Sequence, residues 1–97
     1  MNSIDEEFKH LSMVLGNTLI LRPRDAMAFV RKCQERNVRV LGIDGFHLKG
    51  EAIQPDMGES IDLSQPPYRG QDCWKLAEKF LTQRLESSLH FEIVAEQ

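Results

Sequence analysis

Residues 38–63, VRVLGIDGFHLKGEAIQPDMGESIDL, contain the most strand-like run of the chain, and the other elements are predicted to pack around it. The run 38–43 is aliphatic and rich in valine, a composition typical of a buried strand. Asp44-Gly45 follows, and glycine accepts the positive φ that a tight turn or bulge needs. We expect residues 48–63 to form an irregular return with one short strand. A hairpin about Asp44-Gly45 or Lys49-Gly50 is the alternative.

Negative charge is concentrated in the same stretch. Between Asp44 and Asp62 there are five carboxylates and one lysine, a net charge of −4. A buried strand that leads into a charged segment presents a surface on a rigid scaffold. We therefore predict a protein-binding face, on which the carboxylates are solvated and have no internal partner, and Tyr68 is an aromatic anchor. The residues predicted to form this face are Asp44, Asp56, Glu59, Asp62 and Tyr68.

Length and composition indicate one globular domain, residues 1–97. The hydrophobic share of 41% and the charged share of 28% are ordinary for such a domain and argue against disorder. The sequence has no apolar run of about 18 residues, so no membrane-spanning helix is predicted. Since the first residues are acidic rather than basic and then apolar, we expect a cytoplasmic protein. The oligomeric state and the order of residues 48–63 in the free protein stay open.

Hydrophobic spacing predicts three helices and four strands. The helices are expected over the first 16 residues, from about Arg24 to Arg36, and from about Gln71 to Glu86. Strands are expected at 18–21, 38–43 and 89–95, with a short one inside 48–63. The order strand, helix, strand over 18–43 suggests a βαβ unit with two parallel strands. The fold class predicted is α+β, a two-layer sandwich in which a small mixed sheet of about four strands has two or three helices mostly on one face.

The predicted core combines the apolar stripes of the last two helices with alternate residues of the strands. Cys33 and Cys73 lie within these stripes and are interpreted as buried free thiols, with a disulfide or half of a metal site as the alternatives. The core residues expected to be buried together are Phe29, Val40, Ile43, Trp74, Phe80, Phe91 and Ile93.

Residues 22–39 carry the opposite charge, with six basic residues against two acidic ones, a net of +4. Phe29 is predicted to lie in the buried apolar stripe, and no aromatic residue with which bases could stack interleaves the water-facing Arg31, Lys32 and Arg36. A solvated helix face is therefore favoured over a phosphate-binding patch. The net charge of the whole chain is −3, which gives no field that would collect nucleic acid. We therefore predict no nucleic-acid partner.

The sequence has no established catalytic, metal or cofactor motif. His10, His47 and His90 lie in three different predicted elements without ligand spacing. An Asp44–His47 pair would suit acid–base chemistry, but no activated serine or cysteine stands near it in sequence. The acidic residues lack EF-hand spacing, and the glycines do not compose a phosphate-binding loop. We expect no enzyme activity, no metal and no cofactor.

The chain resembles small single-domain bacterial proteins associated with immunity in polymorphic toxin systems. The resemblance covers about residues 20–95 and rests on RVLGIDGF (39–46), QPDM (54–57), SIDLS (60–64), Trp74 and LHFEIV (89–94). It implies a non-enzymatic cytosolic protein that occludes a toxin domain, and it carries over no functional residue. A small-molecule-sensing domain, with a pocket between the sheet and residues 50–70, is the alternative. An enzyme using Asp44 and His47 is a third hypothesis.

Overall fold

The structure is a computed structural model that describes residues 3–15, 18–64 and 71–96. It is built around a central three-stranded sheet. The helices are α1 (Ile4–Phe8), α2 (Pro23–Glu35) and α3 (Gln71–Thr82), with a 3-10 turn at Lys9–Leu11. The strands are β1 (Met13–Leu15), β2 (Thr18–Ile20), β3 (Val40–Lys49), β4 (Ala52–Asp62) and β5 (His90–Ala95).

Strand β3 lies in the middle of the sheet and pairs antiparallel with β4 on one side and with β5 on the other. At the far edge of β5, Leu21 and Phe91 exchange two backbone hydrogen bonds, both of 2.7 Å. Strands β1 and β2 form a separate antiparallel pair. The α+β class predicted from the sequence is confirmed.

The predicted βαβ unit does not form a pair of neighbouring parallel strands. Leu21 and β3 both run antiparallel to β5, which lies between them. The segments before and after α2 therefore point the same way, while every strand pairing among the described residues is antiparallel. Local spacing predicts strands at β2, β3 and β5, but strand order is decided by pairing with β5, which lies about 50 residues further along the chain.

The irregular return predicted for residues 48–63 is wrong, because β3 and β4 form a long hairpin. Its turn lies at Gly50-Glu51, and Gly50 adopts a positive φ of 61° that glycine accommodates without strain. Pro55 is tolerated within β4 because β4 is the edge strand of its sheet, where a missing N–H breaks no ladder hydrogen bond.

The N-terminal helix is shorter than its hydrophobic spacing predicts. Ser3 caps it and accepts a 3.2 Å hydrogen bond from the Glu6 amide. The helix ends at Phe8, and residues 13–15 pair with β2 instead of continuing it. Tertiary strand pairing here overrides helical periodicity. The end predicted for this helix, at residue 16, lies outside the described residues.

The core lies between the sheet and the helices, and all seven residues predicted for it are buried. Helix α2 packs against α3 and β5, while α3 also packs against β3. The rings of Phe80 and Phe91 meet edge to face at 6.0 Å across this layer boundary. Cys33 and Cys73 are free and buried, as predicted. Burial, and secondly the charge of Asp5, raise the pKa of the Cys33 thiol to about 12.

Trp74 joins α3 to the start of β3. It is 6% exposed, and its Nε1 donates a 2.8 Å hydrogen bond to the Val38 carbonyl. We predict that Trp74→Ala lowers the free energy of unfolding by about 3–5 kcal/mol through lost burial and the cavity left behind. Trp74→Phe, which keeps most of the apolar volume, should cost only about 1–2 kcal/mol. Urea unfolding checks both, and an unchanged midpoint for Trp74→Ala would contradict the packing described.

Candidate functional site

Alternation along β3 divides the charged residues of the hairpin between the two faces of the sheet. Ile43 is buried toward the helices and pairs in register with Ile93. The neighbouring positions, Gly42 and Asp44, therefore project from the opposite side, which we call the outer face. Its members are Gly42 and Asp44 on β3, their register partners Val94 and Glu92 on β5, and Asp62, which pairs with Gly42 on β4.

A shallow groove of about 410 Å³ runs over Gly42 on the outer face. Gly42 lies between Asp62 on one neighbouring strand and Val94 on the other. A Cβ at this position would sit 3.0 Å from the Ile61 carbonyl oxygen, so bare backbone forms the floor. The residues that line the groove include Leu41, Gly42, Asp44, Asp62, Ser64 and Val94.

Two carboxylates, Asp44 and Glu92, stand directly opposite each other beside this groove. Burial raises the pKa of the Glu92 carboxyl, and the negative charges of Asp44 and Asp5 raise it further. Like charges at opposed positions of an antiparallel pair are destabilising. The pair therefore favours any arrangement that brings a cation to it.

Asp62 is held ionised at the other side of the groove. Its Oδ1 accepts hydrogen bonds from the Ser64 hydroxyl at 2.6 Å and from the Ser64 amide at 2.9 Å. These bonds lower the pKa of the Asp62 carboxyl. Within the described ranges, no basic side chain forms an ion pair with Asp44, Asp62 or Glu92.

The described arginines are, by contrast, already partnered, whereas the described lysines other than Lys32 form no ion pair. Each of the six arginines in the described part of the chain forms an ion pair with a carboxylate, and Lys32 does the same. Arg39, which donates to the Ser64 carbonyl near the groove, lies 3.8 Å from Glu96. The pairs are Arg22–Asp25, Arg24–Glu86, Arg31–Glu78, Lys32–Glu35, Arg36–Glu7, Arg39–Glu96 and Arg84–Glu59. The +4 stretch of the sequence is thus largely neutralised.

Asp56, one of the predicted partner-binding residues, has internal partners. The register places Gly45 opposite Asp56 and Ile43 opposite Ile61, so residues 57–60 form a bulge facing Asp44 alone. His47 Nε2 lies 2.7 Å from Asp56 Oδ2, and the Gly58 amide donates to Oδ1 at 3.0 Å. The bond from His47, followed by the one from Gly58, lowers the pKa of the Asp56 carboxyl.

Glu59 is also engaged, because the bulge folds over Gly45 toward the helix layer. Arg84 Nε donates to Glu59 Oε2 at 2.5 Å, and its Nη1 donates to the Phe80 carbonyl at 2.9 Å. The guanidinium also lies 3.8 Å from the centre of the Phe80 ring. The expectation of carboxylates without internal partners is therefore wrong for Asp56 and Glu59, and also for Asp62, which accepts the hydrogen bonds from Ser64. Tyr68 lies outside the described residues.

The Asp44–His47 pair considered for acid–base chemistry does not form. Asp44 and His47 occupy opposite faces of β3, and His47 bonds to Asp56 instead. The nearby Ser60 hydroxyl donates to the Asp56 carbonyl at 3.0 Å and accepts from the Gly45 amide, so it braces the bulge. In the described portion of the chain, no three His, Cys, Asp or Glu side chains are grouped to hold a metal ion. A search of the same portion finds no helix able to cross a membrane.

A larger cavity, of about 490 Å³, lies between the start of α2 and the segment before β5. Arg22 and Arg24 line it, but they pair with Asp25 and Glu86 respectively. Its cationic groups are therefore balanced. The pocket expected between the sheet and residues 50–70 involves residues 65–70, which lie outside the described ranges.

Sequence reasoning found Asp44 and Asp62 but missed Glu92, Gly42 and Val94. The alternation of apolar and polar residues in 89–95 had marked Glu92 as a polar-side position. Its neighbour across the sheet could not be known without the β3–β5 register, so the opposed carboxylates carried no sequence signal.

Replacing Glu92 by glutamine should stabilise the protein at neutral pH. The folded-state pKa of Glu92 is raised above its ordinary value of 4.5, so the fold favours the protonated form. The free energy of unfolding therefore falls as pH rises through the raised pKa of Glu92. Well below pH 4.5, Glu92 is protonated in both the folded and unfolded states and costs no stability. Urea midpoints should show Glu92→Gln above wild type at neutral pH and equal to it near about pH 3. A variant that is less stable at neutral pH would contradict this electrostatic reading.

Comparison with known proteins adds no identification. No protein-family model matches the chain, and a search of curated proteins gives no significant match.

Proposed function

We propose that this chain is a non-enzymatic protein-binding module whose outer face docks on a basic surface of a protein partner. One observation carries the proposal: Asp44, Asp62 and Glu92 lack a basic partner among the described residues, while every arginine described has a carboxylate. These three carboxylates therefore leave negative charge without a basic partner, among the described residues, on the outer face.

The electrostatics favour a cationic occupant over a neutral one. The Asp44–Glu92 repulsion costs stability in the free protein, and a positive charge placed between the two groups would remove that cost. Charged faces of this kind act mainly on the rate of encounter and on register, so binding should weaken with salt. The half-buried Phe46 and the exposed Val94 add apolar area to the same face.

The partner we propose is a toxin domain, which the chain would neutralise by occlusion. The sequence resemblance to immunity proteins supports this choice, and a toxin that acts on nucleic acid would present the basic surface that complements the outer face. The residues proposed for contact are Asp44, Asp62 and Glu92. Asp56 and Glu59 are assigned instead to holding the bulge in place.

The double variant Asp44→Lys, Glu92→Lys tests the proposal because neither carboxylate has a described internal partner. It keeps two like charges opposed, so the melting temperature should stay close to that of wild type. Co-expression with the variable C-terminal domain of a toxin encoded beside this chain should show lost protection. The association rate should fall by about 10-fold or more at low salt.

Glu51→Lys provides a matched control, since Glu51 is exposed in the hairpin turn, away from the groove. Its charge change of two equals that of each single substitution, Asp44→Lys or Glu92→Lys, and it should leave protection intact. Full protection by a well-folded double variant would refute the proposed face, and so would an equal loss caused by Glu51→Lys.

A further inference from the structure

The groove over Gly42 has the shape and chemistry to receive one long cationic side chain. Its floor is the backbone of Gly42, because any side chain here would press on the Ile61 carbonyl. Val94, 37% exposed, forms one wall, and Leu41 adds apolar lining. Asp62 forms the opposite wall, and Asp44 lies two residues along β3 from the floor. Neighbouring strands are about 4.8 Å apart, so the walls stand about 10 Å from each other.

Resting on the proposed function, we propose that this groove seats an arginine side chain of the partner protein. The methylene stem would lie on Gly42 against Val94, and the guanidinium would reach the carboxylates of Asp44, Asp62 and Glu92. One oxygen of Asp62 is held by Ser64, which leaves Oδ2 directed to no described partner. Glu92 extends the acidic end of the groove because it stands opposite Asp44.

Arginine fits this site better than lysine for three physical reasons. Its planar guanidinium has five N–H donors and can bridge carboxylates that lie in different directions. It is more weakly hydrated than an ammonium group, so bringing it to a half-buried site costs less. Its flat face also packs on a floor that has no side chain. Lysine would satisfy the charge but only as a point donor.

An arginine supplied by the chain itself tests the groove without the partner. Val94 faces Gly42 across the β3–β5 register and is diagonal to Asp44, a separation of about 7–8 Å that long side chains span. Val94→Arg should therefore melt at a higher temperature than the uncharged Val94→Gln at low salt. The difference should shrink at 1 M salt, where the Debye length falls to about 3 Å. Val94→Lys should lie between the two.

Met13→Arg controls for the change in net charge, because Met13 is 46% exposed on a strand outside the three-stranded sheet. At low salt, the melting temperature of Met13→Arg should exceed that of wild type by less than the melting temperature of Val94→Arg exceeds that of Val94→Gln. The inference is overturned if Val94→Arg melts no higher than Val94→Gln, or if Met13→Arg gains as much. Equal gains from Val94→Lys and Val94→Arg would overturn the choice of arginine.

The two proposals fail separately. If Val94→Arg is not stabilised while the Asp44→Lys, Glu92→Lys variant loses protection, the face binds a partner without an arginine in the groove. If Val94→Arg is stabilised as expected but still protects fully, a filled groove does not hinder binding, and the partner's arginine does not sit there. The inference requires that Val94→Arg is stabilised and no longer protects, while Val94→Gln still protects.

Discussion

The alternation of side chains along β3 determines where every charged group of the hairpin lies. Because β3 pairs on both edges, its residues have only two directions available, toward the helices or away from them. Ile43 goes inward to the core, which places Asp44 outward, opposite Glu92. A one-residue slip would bury Asp44 and expose Ile43, so the hydrophobic core itself enforces the position of the carboxylate. The same alternation along β3 therefore determines both which residues pack in the core and which charges lie on the outer face.

The bulge at residues 57–60 separates the acidic residues into two groups with different roles. It carries Asp56 and Glu59 to the helix side, where Asp56 shares a hydrogen bond with His47 and Glu59 forms an ion pair with Arg84. Asp56 thereby ties β4 to β3, and Glu59 ties it to Arg84 just after the end of α3, so both carboxylates already have an internal partner. Asp62, beyond the bulge, returns to the register of Gly42 and stays on the outer face. The negative charge that remains for a partner is therefore smaller than the composition indicates, but it is concentrated beside one groove.

Much of the fold was predictable because it depends on local patterns. The apolar stripes of α2 and α3, the alternation in β5 and the burial of Trp74 all follow from hydrophobic spacing. The pairing of β5 between β3 and Leu21 was not predictable, since it joins segments far apart in the chain. For the site, composition located the acidic stretch. It could not separate Asp44 from Asp56, because their difference arises from a bulge that only the β3–β4 register shows.

Asp44 and Glu92 face each other on a half-buried surface, and no described basic side chain pairs with either of them. Titration of the Glu92 side-chain carboxyl by carbon-detected NMR tests this most directly, in wild type and in Asp44→Asn. We expect an apparent pKa above 4.5 in the wild-type protein, because burial and the charge of Asp44 both oppose ionisation. The pKa should be lower in Asp44→Asn. A Glu92 carboxyl that titrates at or below 4.5 in both proteins would show that the outer face is solvated or balanced, and would contradict the account.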